Sequence, residues 1–128
     1  MKTNISISRA ILLEMADHLV TLGCKVYVSR SETFNYGYLA IGDSYVVTFQ
    51  PDDTASSICF GASCPPDRQY GTGCRLGSVT STEEVTLKVV ESWVAGPMPE
   101  WYGRSVKDRL TLQEVLTRLG DRVVPYQL

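Results

Sequence analysis

Histidine is almost missing from this sequence; His18 is the only one. A cysteine or serine nucleophile needs an imidazole or a comparable base beside it, so catalysis of that kind could draw on one position only. Asp17, His18 and Cys24 lie close in sequence, but neighbouring side chains on a helix point about 100 degrees apart, which strains a triad built from these three. Cysteine is sparse too, with Cys24, Cys59, Cys64 and Cys74, and no pair has the two-residue spacing that pre-forms a tetrahedral zinc site. The thiols read as reduced, small apolar side chains. No metal and no cofactor is expected.

Long apolar runs are also lacking. The first helical stretch carries Arg9, Glu14 and Asp17, which predicts neither a signal peptide nor a membrane span, and hence a cytoplasmic protein without membrane contact. Charge of one sign is not in excess: 12 Lys and Arg stand against 14 Asp and Glu, for a net charge of −2. That balance argues against a nucleic-acid binder driven by counterion release, and it is not acidic enough for a DNA mimic. The sequence has no internal repeat and no Gly-Lys-Ser or Gly-Lys-Thr, so a Walker A phosphate loop is excluded.

Apolar residues at 44% and charged residues at 20% are those of an ordinary globular chain, and 128 residues make a single domain, 1–128. Ser8 to Leu22 has Leu12, Met15 or Ala16, Leu19 and Leu22 at helical spacing, with Gly23 placed to end the helix. Lys25 to Arg30 alternates as a half-buried strand. Tyr36 to Ile41 and Tyr45 to Gln50 flank Gly42-Asp43-Ser44 as a hairpin, stopped by Pro51 and the pair Asp52-Asp53. Ser57 to Ala62 and Cys74 to Val79 are further strands. Ser81 with Glu84, and Thr111 with Glu114, are capping boxes; they predict a helix with Val85, Val89 and Trp93 on one face and a shorter one with Leu112, Val115, Leu116 and Leu119, closed by Gly120. The expected fold is α+β: an antiparallel sheet of four or five strands with an N-terminal helix and two C-terminal helices packed on one face.

Two segments carry candidate binding residues. In the first, PPDRQYGTGCRLG at 65–77, the glycines are spaced G-x-G-x-x-x-G and lead into a strand, whereas the dinucleotide fingerprint needs a helix opening directly on them. The segment either turns the chain, or forms a nest of amides around Gly71 and Gly73 in which Arg68 and Arg75, beside Tyr70, grip an anion. In the second group, Phe34, Tyr36, Trp101 and Tyr102, with Arg104 nearby, are aromatic residues in expected loops. They are either lids over the core or the anchors of an interface, since Tyr, Trp and Arg dominate interfaces. Trp93, on a helix stripe, reads as core.

The run Pro66-Asp67-Arg68, then Gly71-Thr72-Gly73-Cys74-Arg75-Leu76, resembles a loop-to-strand pattern in short phage and plasmid proteins, departing from it at Cys74, where an aromatic residue is expected. The wider profile, a mildly acidic α+β domain with no catalytic set, resembles the anti-CRISPR and other anti-defence inhibitors that such elements encode. Those families share no common motif, so no functional residue carries over. The resemblance implies a non-catalytic protein-binding module, not an enzyme, acting on a host protein or ribonucleoprotein complex and making no direct nucleic-acid contact. The alternative is a nucleotide or cyclic-nucleotide binder using Arg68, Gly71, Gly73 and Arg75.

Overall fold

The computed structural model describes residues 3–31, 33, 35–52, 54–63, 72–95 and 110–127. Helix α1 spans Thr3–Thr21, earlier in its start than the apolar stripe suggests, and buries Leu12, Met15, Ala16 and Leu19 completely. This i, i+3, i+4, i+7 set is the stripe that a helix turns toward a core. Gly23, at φ 94°, ends it: its N–H donates to the Val20 carbonyl at 2.9 Å and the Cys24 N–H to the Leu19 carbonyl at 3.1 Å, while Leu19 and Cys24 share the core. This pattern of bonds is a Schellman cap, and its left-handed residue is the reason for a glycine. No helix among the described residues is long and apolar enough to cross a membrane.

Strands β1 (Lys25–Ser29), β2 (Gly37–Ala40), β3 (Val47–Pro51), β4 (Ile58–Ser63) and β5 (Thr72–Val79) follow as an antiparallel meander. A sixth strand, β6 (Val123–Pro125), pairs antiparallel with the other side of β1, so the order across the sheet is β5-β4-β3-β2-β1-β6. Four or five strands were expected. The sixth is only three residues long, follows Gly120 by a single 3₁₀ turn and ends in a proline, so it has too few residues to show the alternation that marks a strand.

Pairing register divides the side chains between two faces. Val26, Val28, Leu39, Val47, Phe49, Ile58, Phe60 and Val79 join α1 in one core, which Val85, Val90 and Val94 complete. Phe49 and Phe60 stack at 6.0 Å, and Trp93 stacks on Phe60 at 4.3 Å with 28° between the planes, so Trp93 is core as its stripe predicts. Each such pair adds about 0.5–1.5 kcal/mol beyond the area it buries. The opposite face carries Tyr27, Tyr38, Ala40 and Val46, which pack with Leu110, Leu112, Val115, Leu116 and Leu119 in a second, smaller core.

The described helices therefore do not share one face. Helix α2 (Leu87–Ala95) lies with α1, and α3 (Leu112–Leu119) covers the other side. A helical stripe tells which side of the helix is buried but not which side of the sheet receives it. The Ser81 capping box is present, with Glu84 answering it, but it opens a 3₁₀ turn, Thr82–Glu84, that stops at extended Val85. Helix α2 begins afterwards, where Thr86 Oγ1 accepts from the Val89 N–H at 3.3 Å, and its buried stripe is Val90 and Val94. The second capping box, Thr111 with Glu114, opens α3 as expected, and Gly120 ends it at φ 58°. Pro51 does not stop β3 but is its last paired residue, opposite Ile58. Just before β3, where the second arm of the hairpin is expected to start, Tyr45 and Val46 instead meet the chain leading into α3, through a Tyr45–Thr111 bridge and a bond from the Val46 N–H to the Leu110 carbonyl at 3.0 Å.

Candidate functional site

Of the residues assigned to binding from sequence, Arg68, Tyr70, Phe34, Trp101, Tyr102 and Arg104 lie outside the described residues. Tyr36 is half-buried at the β1–β2 connection, where its N–H donates to Ser29 Oγ at 3.2 Å and its carbonyl accepts from the Ser29 N–H at 2.8 Å. Arg75 belongs to β5, opposite Gly61. The glycine-rich segment is therefore strand from Thr72 onward. Gly61 pairs with Arg75 while Phe60 pairs with Gly77, leaving Leu76 as an extra residue; Ser63 pairs with Thr72 while Ala62 pairs with Cys74, leaving Gly73 as another. Two bulges thus lie in one edge strand, the device by which sheets twist an edge away from unwanted pairing.

The groups with most chemical potential are engaged in structure. His18 Nε2 meets the Val85 carbonyl at 2.6 Å, a tie from α1 to the chain entering α2, and its ring donates there. Asp17 accepts the Tyr126 hydroxyl across 109 residues, and that bond holds the phenol up at about 12. Burial, helped by the negative charge of Glu91, raises the Cys24 thiol to about 11, so it stays protonated at neutral pH and is a poor nucleophile. Desolvation pushes the Asp52 carboxyl up, but amides of Ser56 and Ser57 and the hydroxyls of the same two residues outweigh it and hold the group at about 2. Bonds from the Thr80 amide and hydroxyl and the Ser81 amide lower Glu84, and bonds from the Thr111 amide and hydroxyl lower Glu114.

One cleft, of about 200 Å³, opens between α1, the β3–β4 turn and the end of β5. Ile11 and Glu14 come from α1, Ala55 to Ile58 from the turn, and Val79 to Thr82 from the strand end and the 3₁₀ turn. Pairing of Ile58 with Val79 is what brings the two hydroxyl-rich segments together. Each is fastened from behind by a carboxylate. Asp52 accepts the Ser56 hydroxyl at 3.1 Å, the Ser57 hydroxyl at 3.0 Å and the Ser56 amide at 2.8 Å, bending the turn through Ala55 at φ 57°. Glu84 accepts the Thr80 amide at 2.7 Å, the Thr80 hydroxyl at 3.0 Å and the Ser81 amide at 2.9 Å.

Apart from Ser81, half of a capping box, none of these cleft residues stands out in the sequence. Serine and threonine at 54–57 and 78–82 read as turn formers, and the only signal of a shared site is hydroxyl density on both sides of one strand pair, visible once the pairing is known. No protein-family model, curated protein or solved structure matches this chain.

Proposed function

We propose that this chain is a non-catalytic binding protein that inhibits a host defence complex, in the manner of the anti-CRISPR proteins it resembles. The observation that carries the reading is the state of its reactive groups: the imidazole is tied to a main-chain carbonyl, the Cys24 thiol is protonated, and Asp52, Glu84 and Glu114 are shifted away from neutrality by the turns and caps they fasten. General acid–base catalysis favours groups that titrate near the working pH, and Cys24, Asp52, Glu84 and Glu114 are displaced from it. Contact then falls to Phe34, Tyr36, Arg68, Tyr70, Trp101, Tyr102 and Arg104, the aromatic and arginine residues singled out in the sequence, and to Arg75 on the bulged edge of β5.

Gly73 bears on the alternative, a nucleotide held by Arg68, Gly71, Gly73 and Arg75. It lies within β5 as the extra residue of a bulge, so it is held in a strand pair and not in a free glycine loop, while Gly71 lies outside the described residues. Titrating the purified protein into an RNA-guided nuclease complex of the host tests the proposal. A binding inhibitor co-elutes with the complex and abolishes target cleavage at an equimolar end point. Inhibition by sub-stoichiometric protein that deepens with time would mean an enzyme, and the absence of both co-elution and inhibition would remove the defence-complex reading. A nucleotide that raises the melting temperature would favour the alternative; a hundredfold excess over the dissociation constant adds about 2.7 kcal/mol.

A further inference from the structure

Three of the hydroxyls that wall the cleft are committed as donors, whereas Ser81 Oγ accepts from the Glu83 N–H at 3.2 Å. Ser56 and Ser57 give their hydrogens to Asp52, and Thr80 gives its hydrogen to Glu84, so what these side chains can turn toward a ligand is lone pairs. Glu14, exposed on α1 at the mouth, adds a carboxylate, which accepts only. The floor is aliphatic, built from Ile11, Ile58 and Val79. The volume is about 200 Å³, below the roughly 300–1,000 Å³ of a small-molecule site, so it suits one side chain and not a nucleotide.

We propose that this cleft is a socket for an arginine side chain of a partner protein. With the Glu14 carboxylate at its mouth and those of Asp52 and Glu84 holding its hydroxyls, the cavity repels phosphate and other anions and favours a ligand that carries positive charge and donates hydrogen bonds. The guanidinium has five donors and no acceptor in a planar fork that can meet the Glu14 carboxylate and a hydroxyl oxygen together. Its three-carbon stem covers the aliphatic floor while the head stays among the polar atoms. A lysine ammonium shares the charge but lacks the fork. The proposal goes beyond the defence-complex reading and stands without it, because the socket can be assayed with a peptide alone.

The probe is acetyl-Gly-Arg-Gly-amide, compared with the same peptide carrying lysine or the neutral isostere citrulline, and followed through the amide signals of the ¹⁵N-labelled protein. The arginine peptide is expected to shift Ser56, Ser57 and Thr80 to Thr82 saturably, lysine to bind more weakly, and citrulline not at all. Glu14→Gln, at an exposed position where folding is little affected, should lower the arginine affinity about tenfold, the scale of one charge-assisted bond. Added salt should weaken the contact, since the mouth is open to solvent. Citrulline binding as well as arginine, shifts that map elsewhere, an unchanged affinity in Glu14→Gln, or no shift at all would overturn the proposal. Self-association of the protein that Glu14→Gln abolishes would also overturn it, assigning the cleft to a second copy of this chain.

Discussion

Gly37 stands opposite Phe49 on adjacent strands, and the Phe49 ring lies across the space that a side chain at position 37 would fill. Here the glycine is required by contact with a neighbour and not by an unusual backbone angle. Phe49 in turn is fully buried and stacks on Phe60, so it has no room to withdraw. Gly37→Ala should therefore destabilise the fold by about 1–3 kcal/mol, the usual cost of overpacking, measured as a lower urea midpoint at unchanged slope. Phe49→Leu made in the Gly37→Ala background should cost less than it does in the wild type, because the smaller side chain makes room for the new methyl. Additive losses would show that the ring is not what excludes the methyl. Nothing in the sequence around Gly37 announces this pairing, since Tyr36 reads as a strand end or an interface anchor and Tyr38 as an aromatic residue of a strand.

At the scale of elements, local signals were legible wherever a side chain acts on backbone near itself. Thr111 with Glu114 and Ser81 with Glu84 both form the predicted reciprocal bonds. The length of the element that follows was not legible: Ser81 opens only a 3₁₀ turn, because Val85 must extend into the core. Thr111→Ala should cost about 1 kcal/mol and raise amide exchange in α3 before it does so in α1, since the core under α3 is the smaller one. Uniform acceleration across the molecule would contradict that division. Asp52 makes a pH prediction. Its folded value of about 2 lies below the ordinary 3.8, so folding favours the ionised form. The contribution is complete above the unfolded value and is lost as pH falls from about 4 toward 2. Asp52→Asn should accordingly flatten the acid limb of the stability profile in that window. An acid limb as steep as in the wild type would show that the turn does not depend on the charge.

Considered whole, the molecule is one sheet between two unequal cores, and this is where sequence reading failed. The meander of β1 to β5 was visible because Lys25 to Arg30 alternates and turn-forming residues such as Gly42-Asp43-Ser44 separate the runs that follow. The placement of α3 on the second face was not, since Tyr27, Tyr38, Ala40 and Val46 look like the solvated side of their strands until Leu110 and α3 cover them. The socket was hidden for a related reason: its walls are far apart in the chain and meet only through the pairing of Ile58 with Val79. Both edges of the sheet are blunted, one by the bulges at Gly73 and Leu76 and the other by a three-residue strand ending at Pro125.

That short last strand also sets an order in time. Ser29 and Tyr36, which close the first hairpin, are 7 residues apart, whereas Asp17 and Tyr126, which fasten the C-terminal segment to α1, are 109 apart. Closing the longer loop from the open chain costs about 2 kcal/mol more in entropy. The meander and α1 can thus assemble while β6 is still unattached, and β6 docks on the finished edge of β1 after the rate-limiting barrier. Val123→Ala, at a buried position of β6, should then accelerate unfolding and leave the refolding rate nearly unchanged, while Phe60→Leu in the meander should slow refolding. Stopped-flow chevrons of the two variants distinguish the steps, and a refolding limb slowed as much by Val123→Ala as by Phe60→Leu would place β6 in the nucleus. On this schedule β6 acts as a latch: it decides how long the native state lasts once formed, and not how quickly it is reached.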